Sequence, residues 1–266
     1  VHLFQALLKT TERVKMNSPK WSVVVTTAPR KKPKLKTTIQ SLRKAGWDNP
    51  VVFAEPDSPT CDATTHTNDF KLGVFQNWLK AAWHGVDSGA DVIMTVQDDV
   101  WFHPDSKWFA EKSLWPTNCG FLSLYTPLHY SIVQGKMKPW GINRIFTKSV
   151  WGAMAMIWHP SVLKEIVGGQ KAASWIGRRS TMKASEIEHK TNNPDEVCNV
   201  DTFLGYCVRD MGREMHYVNP SFAQHISEYS SIGGRGTSGK RSARFVVGSE
   251  GVPTAKEIPT GQQDFS

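Results

Sequence analysis

Asp91-Val-Ile-Met-Thr-Val-Gln-Asp-Asp-Val100 is the stretch that decides the fold. An apolar, β-branched run of this length, preceded by a glycine exit and followed by charge, reads as a strand buried on both faces. Just upstream, Phe75 to Val86 carries Trp78, Leu79, Ala82 and Trp83 at helical spacing, and Gly89 marks its exit. Before that come Val51-Val-Phe-Ala54, closed by Glu55-Pro-Asp-Ser-Pro59, and a helix over 35–45 with Leu35, Ile39 and Leu42 in register, stopped by Gly46. The series begins with Lys20-Trp-Ser-Val-Val-Val-Thr-Thr27, a strand ended by Ala28-Pro29. A β-α-β-α-β order predicts an α/β fold, a mostly parallel Rossmann-like sheet with helices on both faces. Ligands of such sheets bind beyond the carboxyl ends of the strands. Here those ends are Thr26 to Arg30, Glu55, and Asp98-Asp99.

The second half is less regular. Phe121-Leu-Ser-Leu-Tyr125 and Ala153-Met-Ala-Met-Ile-Trp158 read as further strands, the latter opening a helix at His159-Pro160. Residues 168–194 are polar and rich in Gly, Lys and Ser, which predicts a surface excursion. Asp201 to Arg209 is apolar at helical spacing. The expected organisation is a basic N-terminal extension over 1–20, one α/β domain over 21–244 and a tail over 245–266.

The chain's 266 residues hold 32 Lys+Arg against 24 Asp+Glu, a net +8. With 39% hydrophobic residues and eleven tryptophans it is neither a disordered chain nor a collagen. No apolar run approaches a membrane span. The first residues lack the charge order of a secretory signal. Four cysteines without a CxxC pair indicate neither a zinc cluster nor a disulfide framework. The expectation is a cytoplasmic protein with no membrane partner. The charge is uneven: residues 1–47 contain eleven Lys/Arg and one acid, Glu12, so +10 sits there and −2 on the rest. Arg30, Lys31, Lys32, Lys34 and Lys36 form one cluster, and Arg235, Lys240, Arg241 and Arg244 a second among Gly and Ser. Two such clusters suit a polyanion, though a solvated helix face and a loop produce the same pattern.

Adjacent carboxylates at the end of an apolar strand repel, and nothing in the flanking residues neutralises them. A hard divalent cation, Mg²⁺ or Mn²⁺, would. It would also offset charge developing on a departing nucleoside diphosphate.

In that setting the chain resembles the GT-A class of glycosyltransferases, whose DxD-type motif holds a metal and a nucleotide diphosphate. Four segments are similar to the N-acetylglucosaminyltransferase IV family and its microbial and viral relatives. They are Thr26-Thr-Ala-Pro-Arg30, Gln76-Asn77 ahead of Gln97-Asp-Asp-Val100, Asn199-Val-Asp201-Thr-Phe-Leu204, and Pro220-Ser-Phe-Ala-Gln-His225-Ile-Ser-Glu-Tyr-Ser230-Ser231. The family's Glu-Asp-Asp has Gln97 as its first residue here. The resemblance implies Asp99 and His225 as metal ligands and Asp98 on ribose or sugar hydroxyls. It places Thr27, Arg30, Gln76, Asn77, Ser230 and Ser231 around a UDP-sugar donor, with Glu55 on the uracil or ribose. Asp201 is the expected general base of an inverting transfer, while Asp at a helix start is equally a cap. Trp101, Trp140 and Trp151 lie near this constellation, and Trp78, Trp83 and Trp158 at core spacing.

The expected activity is sugar transfer from a UDP-sugar to a hydroxyl. The expected acceptor is a hydroxymethylated pyrimidine in DNA, as in viral DNA modification, with Lys31, Lys32, Lys34, Arg235, Lys240 and Arg241 on the phosphates. The alternatives are a glycan acceptor and a non-catalytic nucleic-acid-binding module of the same fold.

Overall fold

The structure is a computed structural model and describes residues 18–127, 130, 141–145, 150, 152–176 and 200–226. The anticipated extension up to residue 17 and the tail lie outside them. Ten strands and six helices follow in order among the described residues. They are β1 (Trp21–Thr27), α1 (Leu35–Lys44), β2 (Val51–Ala54), β3 (Thr64–Thr67), α2 (Val74–Asp87), β4 (Val92–Gln97), β5 (Val100–Phe102) and α3 (Ser106–Ser113). Then come β6 (Cys119–Ser123), β7 (Gly141–Ile145), β8 (Ala155–Trp158), α4 (Pro160–Gly168), α5 (Gln170–Trp175), α6 (Val200–Asp210), β9 (Glu214–Asn219) and β10 (Ala223–His225).

Eight strands form one sheet in the order β3-β2-β1-β4-β8-β6-β9-β7. The β3-β2-β1-β4 half is parallel, and β8 and β7 run against the remaining strands. Chain connection leaves β1 toward β2 on one side and returns through α2 to β4 on the other. The crevice between the carboxyl ends of β1 and β4 is therefore the topological switch point, where open α/β sheets bind ligands.

Alternation along the strands loads both faces. Val23 and Val25 join Leu35, Ile39 and Leu42 of α1 in one core. Val24 turns the other way, onto Phe53 and Ala81 of α2. Below α2 a second core gathers Phe75, Trp78, Ile93, Trp158 and Phe203. Close approach of α2 to the sheet depends on Gly85, where a Cβ would stand 2.6 Å from Ile93 Cγ2. The Trp158 indole is buried yet satisfied, donating to Thr95 Oγ1 at 3.0 Å.

Two departures from the sequence reading matter. The stretch read as a polar excursion begins with α5, because Ala172 and Trp175, one turn apart, bury against the second core; residues 177–199 lie outside the described residues. A small antiparallel sheet of β5 and β10 stands apart from the main one, with Val100 opposite His225.

Candidate active site

β4 ends at Gln97, and the next two residues form the turn into β5. Asp98 and Asp99 are 1% and 3% exposed. Two buried carboxylates cannot stand uncompensated, and the compensation comes from the end of β1. Arg30 Nη2 lies 2.6 Å from Asp98 Oδ1, and its Nη1 2.6 Å from Asp99 Oδ2. Its Nε donates to Asp98 Oδ2 at 3.2 Å, and Thr27 Oγ1 donates to the same oxygen at 2.6 Å. The neutralising charge absent from the flanking sequence is thus supplied in space, across the switch point.

On the far side, β10 sets His225 Nε2 3.0 Å from Asp99 Oδ2. Asp99 Oδ1 is buried with no hydrogen-bond partner among the described residues. Burial pushes the Asp99 pKa up, but the His225 hydrogen bond and the charges of His225 and Arg30 outweigh it, leaving the group below the usual carboxylate range. Asp98 goes the other way, pushed up to about 6 chiefly by burial, with Arg30 opposing and Asp99 reinforcing. For Arg30, burial works against the charge, yet Asp99 and Asp98 together leave its pKa raised.

These residues fit a divalent cation. An Asp oxygen and a His nitrogen are a donor set that Mn²⁺ accepts. Asp99 Oδ2 is already engaged by His225 Nε2 at 3.0 Å and by Arg30 Nη1 at 2.6 Å. The orphaned Oδ1 is the atom left to coordinate. No cluster of three His, Cys, Asp or Glu suited to a metal occurs among the described residues, so remaining positions would fall to the donor and water.

The other anticipated residues divide into two sets. Glu55 is buried, and its two carboxylate oxygens accept the amides of Leu72 and Gly73 at 2.9 and 2.8 Å; it holds the loop leading into α2 against the end of β2. Asn77 is buried in α2 and ties Phe53 O and Thr27 O through Nδ2, at 3.0 and 3.4 Å, while accepting from Asn68 Nδ2. Gln76 is half-buried beside it. Lys31 and Lys32 are exposed and Lys34 half-buried on the loop between β1 and α1, next to Arg30. Trp101 is half-buried on β5. Ser230, Ser231, Arg235, Lys240, Arg241, Trp140 and Trp151 lie outside the described residues.

Asp201 stands in the first turn of α6, and its Oδ2 accepts the Gly152 amide at 3.1 Å. Gly152 in turn lies against Tyr125. Its φ is +76°, and a Cβ there would stand 2.9 Å from Tyr125 Cε1. The Tyr125 pKa is raised by burial and then by the Asp99 charge. Tyr217, raised by burial and, through smaller contributions, by Tyr130 and Asp201, completes the buried wall, its hydroxyl 3.3 Å from that of Tyr130.

Sequence reasoning passed over Gly152, Tyr125 and two buried hydroxyls of α1, Thr38 and Ser41. The hydroxyls did leave a signal: they are polar positions on the helix stripe otherwise made of Leu35, Ile39 and Leu42.

No protein-family model matches the chain, and no curated protein does. Solved structures do match. GalNAc-T7, crystallised with UDP, GalNAc and Mn²⁺, is 11% identical with a TM-score of 0.53, covering 80% of this chain and 44% of its own. TarS of S. aureus is 12% identical with a TM-score of 0.48, covering 79% of this chain and 37% of its own. The chain spans less than half the length of either. The likeness to GalNAc-T7 establishes the fold as the expected GT-A type.

Proposed function

We propose that the chain is a metal-dependent inverting glycosyltransferase that moves a sugar from a UDP-sugar to a hydroxyl acceptor. The observation that carries the reading is Asp99 at the switch point of this sheet, its Oδ2 held by His225 and its buried Oδ1 without a hydrogen-bond partner among the described residues. A UDP- and Mn²⁺-bound neighbour of the same fold supports it, as do the four segments similar to the N-acetylglucosaminyltransferase IV family. Asp99 and His225 would hold Mn²⁺ or Mg²⁺, which supplies charge stabilisation to the leaving diphosphate. Arg30, anchored by Asp98, presents a fixed positive charge at the same edge. Asp201 takes the proton from the acceptor hydroxyl. The acceptor oxygen bonds to the anomeric carbon as the carbon–oxygen bond to the diphosphate breaks, its electron pair leaving with UDP. Thr27, Gln76 and Asn77, with Glu55 through its loop, shape the donor side, and Ser230 and Ser231 belong to the same donor proposal.

For the acceptor, the reading is a hydroxymethylated pyrimidine in DNA, in a cytoplasmic setting. Its support is the exposed Lys31 and Lys32, with Lys34, on the loop that delivers Arg30 to the site; Arg235, Lys240 and Arg241 extend the same charge in sequence. The test is mass spectrometry of hydroxymethylcytosine-containing DNA after incubation with Mn²⁺ and a panel of UDP-sugars. A hexose or N-acetylhexosamine adduct is expected. Transfer only to oligosaccharides would replace DNA by a glycan. One observation favours the non-catalytic alternative: Arg30 already neutralises much of the carboxylate charge. That reading holds if nucleic acid binds while every sugar nucleotide stays intact.

A further inference from the structure

The Asp98–Asp99 turn is not held by the main sheet alone. Thr38, wholly buried in α1, donates its hydroxyl to Asp98 O at 2.8 Å and accepts the Val100 amide at 3.2 Å. One hydroxyl thus clamps the backbone on both sides of Asp99. A turn further along, Ser41 Oγ accepts the Phe102 amide at 3.2 Å and donates to Thr38 O at 2.9 Å. The side chains of α1 therefore satisfy the edge of β5 that a neighbouring strand would otherwise satisfy. The opposite edge of β5 pairs with β10, which carries His225, and the Ile226 amide donates to Asp99 O at 2.9 Å. Asp99 and His225 are held in place through β5, and β5 is fixed to α1 at Thr38.

We propose that Thr38 is a positioning residue for the cation site, setting the separation of Asp99 and His225 through the backbone of the turn; this rests on the metal reading above. Thr38→Val keeps the shape of the side chain but leaves Asp98 O and Val100 N–H buried without their partner. Side chains that hydrogen-bond a metal ligand directly are worth about 10–100-fold in metal affinity; Thr38 acts one link further out, through the backbone on either side of Asp99, so the low end of that range applies. Ser41 is the internal control, since it has the same chemistry and similar burial but holds β5 two residues beyond the turn.

The experiment is Mn²⁺ binding to the full chain without any donor, read as loss of the free-ion electron paramagnetic resonance signal. Thr38→Val should weaken Mn²⁺ by about tenfold, and Thr38→Ser, which keeps the hydroxyl, should remain near wild type. Ser41→Ala should lower the melting temperature comparably while leaving affinity within about threefold. If Thr38→Val does not fold, Thr38→Cys, with its weaker donor and acceptor, should give an intermediate loss. Unchanged affinity in Thr38→Val or Thr38→Cys, or equal weakening by Ser41→Ala, overturns the positioning role. A wild type that takes up no Mn²⁺ overturns the metal reading itself, and this inference with it.

Discussion

Replacing Arg30 by Gln removes the positive charge that lies between Asp98 and Asp99, whose side chains are 1% and 4% exposed. The Arg30 side chain is itself only 10% exposed and its guanidinium contacts three of the four carboxylate oxygens, so solvent screens little of the interaction. Removing one partner of a buried pair costs about 3–5 kcal/mol, because the remaining charge is left uncompensated. For a domain of this size each kcal/mol shifts the midpoint by about 2–4 °C, giving a fall of about 6–20 °C in a thermal melt. A divalent cation should then act as a substitute charge. A cation present at a hundred times its dissociation constant restores about 2.7 kcal/mol, so Mn²⁺ should recover at least about half of the loss in Arg30→Gln and stabilise wild type less. Arg30→Lys should fall between, since an ammonium keeps the charge but not the fork. A variant melting within 2 °C of wild type (under about 1 kcal/mol) would refute the ion-pair account. A large loss that Mn²⁺ leaves untouched would refute the claim that these carboxylates accept a cation.

Asp201→Asn should leave UDP binding intact and lower turnover by about 10²–10⁴, the usual loss of a general base; reduced stability with unchanged turnover per folded molecule would reduce Asp201 to a helix-terminus residue. Gly152→Ala meets the Tyr125 ring and a φ of +76°, so it should displace the amide from Asp201 and lower turnover, with Mn²⁺ affinity unchanged. Burial lowers the pKa of His103 and His216 below the ordinary 6.5, and His103 Nδ1 accepts the Asp105 amide, which requires it unprotonated. Their stability contribution is therefore complete above pH 6.5 and lost as pH falls through the depressed values; His216→Gln should flatten that slope in melts from pH 7.5 to 5. Lys31, Lys32 and Lys34 changed together to Ala should reduce the log–log salt slope of DNA binding by about 0.9 for each phosphate no longer neutralised, whereas salt-insensitive acceptor binding would reject DNA.

The parallel half of the sheet was legible because β1, β2 and β4 are continuous apolar runs and α1 and α2 carry helical stripes, signals strong enough to survive without context. β3 was not, since Thr64-Thr-His-Thr67 is an exposed, polar edge strand with no apolar alternation, placed by its pairing with β2. β5 and β10, three residues each, form through one another and through the hydroxyls of α1. β9 mixes Glu, His and Asn into a buried strand, which hides its alternation. In the site, Asp99 and His225 were nominated by motif resemblance and by position after a strand. Their distance, and the placing of Arg30 across both carboxylates, are tertiary facts: the partners lie 126 and 69 residues apart. The unmatched charge of Asp98-Asp99 was visible in sequence; the residue that meets it was not.

The central claim is that Asp99 and His225 hold a divalent cation on which a UDP-sugar docks. Isothermal titration of UDP into the chain, with and without Mn²⁺, tests it most directly, run in parallel on Asp99→Asn. The account predicts UDP binding that requires Mn²⁺ in wild type and disappears in Asp99→Asn, with both proteins folded. UDP binding of equal strength in excess EDTA, or binding undiminished by Asp99→Asn, would contradict it.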